Sequence, residues 1–476
     1  MLLKLSIAPI AAILVALLLC SWPALAIIRL PPIVSSGMVL QQKTKATLWG
    51  WADPSERFII QASWKAIPDT VVALNSGHWK AAIATPAAGG PFTIVIKGRR
   101  NEITLDSVLV GEVWICSGQS NMEMSNTAQI KEVLPTCANS QIRFFTVAKA
   151  TSPHPQEYAG GNWVPCTAES LQRFSAIGYF FANKLFQELH NAPIGIIQSA
   201  YSGTPVELWE PAEVLTADPA MAEAATKIKE VTYRPNKPGL IYNAMIYPIA
   251  HYTLAGVLWY QGEGNTARAA VYQKMFTAMI EVWRKQFAQN LPFYYVQIAP
   301  YAYENEYEGA LLMEQQTQCQ NHPNTGMVVI TDLVDNIKDQ HPKNKYDVAI
   351  RLANLALANT YARPMQEASY RSPLYRNMQI EKGKIKLYFD YAPNGFLLKA
   401  HETATEFFIA GPNRQFMPAQ LQLGKGFITV YNNEVTNPVA VRYGFSNTAT
   451  ATLFNNEGLP VTPFRTDNWE IIPTKK

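Results

Sequence analysis

Glu112-Val-Trp-Ile-Cys-Ser-Gly-Gln-Ser-Asn-Met122 is the stretch that decides the fold. It continues the apolar run Ser107-Val-Leu-Val110 and then stops at a Ser/Gly/Asn turn. A strand apolar at consecutive positions is buried on both faces, as in a parallel sheet covered by helices. Working outward, the pattern recurs at Ile194–Ile197, Gly256–Tyr260, Phe293–Ile298 and Met327–Ile330. Between these runs, Ser175–His190 places Ile177, Phe180, Phe181, Leu185 and Leu189 at helical spacing, and Tyr346–Ala358 reads as another helix. The alternation from Ser107 to about Arg363 predicts an α/β domain of three layers with a mostly parallel sheet. Ligands in such domains sit at the carboxyl ends of the strands.

The flanks have a different texture. From Ile27 to Asp106 the pattern is short strands and turns, among them Ala46–Trp51, Arg57–Ala62 and Phe92–Ile96. From Pro364 onward, Lys384–Phe389, Phe427–Tyr431 and Val439–Tyr443 again read as strands. Both ends are expected to be β-rich and sandwich-like, giving regions 27–106, 107–363 and 364–476. Whether the two ends pack together is not readable from the pattern. Residues 1–26 carry one basic residue, Lys4, an apolar run and Ala24-Leu25-Ala26, which reads as a secretory signal peptide; an uncleaved anchor helix is the alternative. A periplasmic or secreted location is therefore expected, with no membrane association after cleavage.

The chain has 476 residues, 48% hydrophobic and 16% charged, which excludes a disordered protein. A net charge of +4, one unit less without Lys4, argues against a nucleic-acid partner. Cys116, Cys137, Cys166 and Cys319 remain after cleavage and permit three pairings, among which the sequence does not choose. No Cys/His spacing suggests a metal site, and no cofactor is expected.

Four polar clusters follow strand ends. Ser117-Gly-Gln-Ser-Asn-Met122 offers Ser120 as a nucleophile, or a simple helix cap. Ser199-Ala-Tyr-Ser-Gly-Thr204 offers the Gly203 N–H to an oxyanion, or an ordinary βα turn. Gln261-Gly-Glu-Gly-Asn265 offers Gln261 or Asn265 as a further amide donor. In Asp335-Asn-Ile-Lys-Asp-Gln-His341, the base is His341, and Asp339, two residues earlier in an extended loop, points to the same side. A nucleophile, a base, an orienter and charge stabilisers together make a candidate hydrolytic site.

These residues resemble the sialate O-acetylesterase family of SGNH-type hydrolases. The resemblance runs through Gly111–Met124, Tyr242–Ile246, Gly256–Glu263, His341–Lys345 and Pro463–Trp469, and so covers nearly the whole mature chain. It implies an SGNH-hydrolase-like domain that removes O-acetyl groups from sugars, commonly sialic acids, without a metal. Carried over by position, Ser120 matches the nucleophile and His341 the base. Ser120, Gly203 and the Gln261/Asn265 region match the oxyanion positions. Two departures stand out. The family's Trp-Gly-Gly-Thr is Tyr201-Ser202-Gly203-Thr204 here, and the position three before His341, often Asp in the wider superfamily, is Lys338. Asp339 is the expected orienter, with Asp335 or no aspartate as alternatives. Glu207, Trp209 and Arg268 are expected to contact the sugar, since aromatic residues pack on sugar faces, with a structural tryptophan as the alternative. The partner expected is an acetylated sugar, with another acetylated carbohydrate such as xylan or pectin, or a non-catalytic sugar-binding role, as rival readings. Oligomeric state is not legible.

Overall fold

The computed structural model describes residues 27–398 and 405–471, so the expected signal segment lies outside the described residues. The organising element is strand β1 (Glu102–Gly118), 17 residues long. Its two halves live in different environments. Up to Val110 it pairs antiparallel with Gly89–Lys97, and Glu102, Thr104, Asp106 and Ser107 are exposed. From Val108 every residue is buried, as a strand covered on both faces must be. The expected boundary between residues 106 and 107 thus falls inside one continuous strand.

Around the buried half, the sheet adds β2 (Asn139–Thr146), β3 (Trp163–Cys166), β4 (Ile194–Ala200), β5 (Gly256–Tyr260), β6 (Phe293–Val296) and β7 (Thr325–Val328), in the order β7-β6-β5-β1-β4-β2-β3. Every pairing on this path is parallel except β2–β3, which is antiparallel at the edge. With the amino-terminal strands joined through β1, the result is one large mixed sheet in an α/β chain.

Helices α1 (Ser120–Glu123), α2 (Ala176–Glu188), α3 (Tyr272–Phe287), α4 (Glu308–Gln318) and α5 (Lys345–Asn359) accompany it. On one face, Trp114, Cys116 and Leu258 pack with Ile177 and Phe181 of α2 and Leu352 and Ala356 of α5. On the other, Val257, Trp259 and Tyr295 pack with Phe276, Ile280 and Trp283 of α3. That second core continues into Trp49, Ile60 and Ile83 of the amino-terminal strands, so the β-rich amino end is fused to the sheet's back.

The carboxyl-terminal region has its own core. Ile385, Leu387 and Val430 come from one four-stranded sheet, and Ile409 and Val441 from another. It is tied to α4, where Arg465 forms a two-pronged ion pair with Glu314 (2.7 and 2.9 Å) and the Asn447 carboxamide accepts the Gly309 N–H (2.8 Å). The four cysteines among the described residues, Cys116, Cys137, Cys166 and Cys319, are buried free thiols.

Candidate active site

The register places Gly118, Ala200 and Tyr260, the last residues of β1, β4 and β5, side by side. The first three polar clusters therefore emerge at one edge. They are laced together: the Tyr201 N–H donates to the Gly118 carbonyl and the Gln119 N–H to the Tyr260 carbonyl, each at 3.0 Å. Gly118 has φ +128°, and a Cβ there would lie 2.1 Å from the Tyr260 oxygen, so only glycine fits. The chain then turns into the single turn of α1 with Ser120 first.

His341 arrives from the loop after β7. Its Nε2 lies 2.8 Å from Ser120 Oγ. For Ser120 to be the nucleophile its hydroxyl donates and Nε2 accepts, which puts the ring proton on Nδ1, the side facing Asp339. Asp339, however, spends its short hydrogen bond on the His341 backbone N–H (2.9 Å), and its nearest oxygen is 3.7 Å from Nδ1. Both side chains are about 40% exposed, at 37% for His341 and 42% for Asp339, so water screens their attraction. Partial burial pushes the imidazole below its ordinary value, the Lys345 cation adds to this, and Asp339 pulls the other way. Asp335 is exposed, so Asp339 is the carboxylate beside the ring. Other histidines are engaged elsewhere, His78 with Glu157 and His322 with Glu281.

The second cluster supplies Gly203, with φ +73°. A Cβ there would meet the Tyr233 ring at 2.8 Å. Tyr233 is 67% exposed, a large aromatic surface beside Gly203 that lies outside the four polar clusters. Ser202, the departure from two glycines, donates through both its N–H (3.0 Å) and its Oγ (2.6 Å) to one oxygen of Glu123 in α1. Ser202 therefore ties the Gly203 loop to the helix that begins at Ser120. Lys149 pairs with the other Glu123 oxygen and sits over the Tyr201 ring.

Several expectations are corrected. Gln261 is fully buried, and its amide N–H groups go to the Thr204 carbonyl (3.2 Å) and Asn265 Oδ1 (2.8 Å), so they are not free for an oxyanion. Asn265 is likewise fully buried. Its Oδ1 holds the Val206 N–H (2.9 Å) and its Nδ2 donates to Glu207 (2.8 Å), so it braces the loop. Glu207 is fully buried and pairs with Arg268 at 3.0 Å; Arg268, 8% exposed, also donates to the Gly264 carbonyl. Trp209 is fully buried, donates to Thr204 Oγ1 and packs edge-on against Trp259. None of these three offers a surface to a sugar. An acid followed by tryptophan looks like a carbohydrate contact in sequence, but here it is an internal brace for the loop that carries Gly203.

Behind the pair lies a polar chain that the cluster reading had not assigned. Asn121 is buried next to Ser120. Its Nδ2 donates to Glu263 (2.7 Å) and to the Gln340 carbonyl (3.1 Å), and its Oδ1 accepts from Lys345 Nζ (2.6 Å). Among the described residues no group of acidic, histidine and cysteine side chains is arranged to hold a metal ion.

With this geometry in view, similarity is informative. Residues 110–362 match the family model described as carbohydrate esterase, sialic acid-specific acetylesterase. The chain is 29% identical over 404 residues to human sialate O-acetylesterase, covering 75% of this chain and 76% of that protein. The mouse enzyme is 28% identical over 430 residues, covering 76% and 79%. Among solved structures, a carbohydrate acetylesterase from Xanthomonas citri superposes with a TM-score of 0.84 at 34% identity, covering 93% of this chain and all of that one.

Proposed function

This chain belongs to the sialic acid-specific acetylesterase family of carbohydrate esterases and is a carboxylic ester hydrolase, and from that premise we propose that it removes O-acetyl groups from sialic acids through an acetyl-enzyme on Ser120. The observation that carries the reading is the 2.8 Å contact between Ser120 Oγ and His341 Nε2 at the carboxyl edge of the sheet.

In the first half-reaction His341 Nε2 takes the Ser120 proton as Oγ attacks the acetyl carbonyl. The backbone N–H groups of Ser120 and Gly203 stabilise the oxyanion; fixed donors there are worth more than water because they need no reorganisation. The imidazolium returns the proton to the departing sugar oxygen. Water, deprotonated by the same nitrogen, then releases acetate. Asp339 screens the imidazolium charge from the Nδ1 side. The Tyr233 ring beside Gly203 is a platform for the sugar. One cation beside the oxyanion loop supports an acidic sugar: Arg234, whose Cδ lies 3.4 Å from where a Gly203 Cβ would be and whose guanidinium donates to the Pro235 and Lys229 carbonyls; Lys149 over Tyr201 is instead paired with Glu123.

A second reading keeps the chemistry and changes the sugar. The Xanthomonas neighbour is a carbohydrate acetylesterase of unspecified sugar, so another acetylated carbohydrate such as xylan or pectin is the alternative. Acetate release compared on 9-O-acetylated sialic acid and acetylated xylan separates the two. Preferential release from sialic acid supports the first reading, and preferential release from xylan replaces it. Covalent trapping of Ser120 by a serine-directed phosphonate tests the nucleophile independently. We further propose that residues 1–26 direct export to the periplasm or medium. Among the described residues no helix is long and apolar enough to cross a membrane.

A further inference from the structure

Lys345 breaks two local rules at once. It is fully buried, and it is the first residue of α5, where the aligned backbone dipoles disfavour a cation. A residue kept against both costs marks a site where function outweighs local stability. Its Nζ donates to Asn121 Oδ1 (2.6 Å) and lies 5.5 Å from the centre of the Tyr260 ring. The far end of the chain is equally costly: Glu263 is buried, one of its oxygens accepts from Asn121 (2.7 Å), and the other has no partner.

The hydrogen-bond chemistry fixes Asn121 completely. The Lys345 ammonium only donates, so it selects the amide oxygen; the Gln340 backbone carbonyl only accepts, so it selects the nitrogen, which also reaches Glu263. Asn121 adjoins Ser120 and Gln340 adjoins His341. This one amide therefore bridges the nucleophile turn to the base loop.

Resting on the serine-esterase reading above, we propose that the buried Lys345–Asn121–Glu263 chain is a positioning device for the Ser120–His341 pair: Asn121 locks the two loops in register, and Lys345 holds a positive charge behind the imidazole. In position it supplements the half-exposed Asp339, which is too distant from Nδ1 for a hydrogen bond, and in charge it opposes it, since the cation disfavours the imidazolium that Asp339 favours.

The charged and titratable groups around the device are few. Asp339, Lys345 and Ser120 face His341. Glu263, Asp339 and the Tyr260 ring face Lys345, and Tyr260 and Tyr303 lie against Glu263. Burial pulls Lys345 down to about 7, against the opposing pull of Glu263 and Asp339. Burial pushes Glu263 up.

The test measures hydrolysis of 4-nitrophenyl acetate and of 9-O-acetylated sialic acid across the pH range. The proteins are the wild type, Ser120→Ala, Asn121→Ala, Lys345→Met and Lys345→Met/Glu263→Gln. Asn121→Ala is expected to lower kcat about a hundredfold, as a small misplacement of reacting groups does, with KM nearly unchanged. Lys345→Met is expected to move the acid limb of kcat/KM to higher pH, because a histidine relieved of a nearby cation stays protonated longer. A merely structural lysine would not move that limb. The double variant removes both buried charges and keeps an acceptor for Asn121, so it decides the question where a single variant fails to fold. The inference is overturned if folded Asn121→Ala keeps its kcat, or if both lysine variants keep the wild-type acid limb. An inactive wild type, or an active Ser120→Ala, overturns the esterase mechanism and this inference with it. An active wild type whose Asn121 and Lys345 variants match it overturns this inference alone.

Discussion

Asp339 Oδ1 lies 2.9 Å from the backbone N–H of His341 and 3.7 Å from its ring nitrogen Nδ1. The aspartate thus shapes the loop that presents His341 more directly than it holds the imidazole itself. A carboxylate at this distance, with 42% of its side chain exposed, gives weak and screened support to an imidazolium.

Asp339→Asn keeps an acceptor for the backbone N–H and removes only the charge. It is expected to lower kcat/KM by about tenfold, far short of the roughly ten-thousandfold drop that follows loss of a buried, hydrogen-bonded orienting aspartate. The acid limb moves to lower pH, because the anion that raises His341 is gone. A ten-thousandfold loss would show that Asp339 closes onto Nδ1 when substrate binds.

The wild-type pH profile follows from the same balance. His341 is held below its ordinary value of 6.5 by burial and by Lys345. A depressed histidine stays neutral, and so competent as a base, to lower pH. The acid limb of kcat/KM for the free enzyme is therefore expected below pH 6.5. A limb above that value would mean that the Asp339 charge dominates.

Gly203→Ala forces a side chain into a left-handed conformation (φ +73°) and against the Tyr233 ring. Displacing this proposed oxyanion donor is expected to cost on the order of a hundredfold in kcat, with the fold intact by circular dichroism. Ser202→Gly removes only the Oγ bond to Glu123, and its kcat is expected to fall by less than that of Gly203→Ala.

Trp209 and Glu207 are expected to behave as core residues. Trp209→Ala should reduce unfolding free energy by about 3–5 kcal/mol. Glu207→Ala should cost a similar ~3–5 kcal/mol, because it strands Arg268 in a site where only 8% of that side chain reaches water. Chemical denaturation reads both. Full stability with a raised KM would restore them as sugar contacts.

Much of this was legible in the chain. Gly256–Tyr260 forms the strand its apolar run predicts, and Ser175 caps the helix that its periodicity marks. Ser120 and His341 stand out because hydroxyl and imidazole side chains in polar turns after apolar strands are conspicuous, and the structure brings the two to 2.8 Å. What escaped is chemistry that depends on partners. The sequence shows that Gln261 and Asn265 are amides, but not that both are consumed in bracing Thr204–Glu207. Trp209 beside acids looks like a sugar contact until its burial is known. The 106/107 boundary was drawn where hydrophobic pattern changes, whereas β1 runs straight through that change. Lys345 carried a usable signal, a cation opening a helix just after His341-Pro342, against the helix dipole.

The most direct test of the central claim is acetate release from 9-O-acetylated sialic acid by the purified wild type beside Ser120→Ala and His341→Ala. Steady release by the wild type is expected, with a drop on the order of a thousandfold or more in each variant, since nucleophile and base act as one unit. Undiminished release by both folded variants would contradict the account.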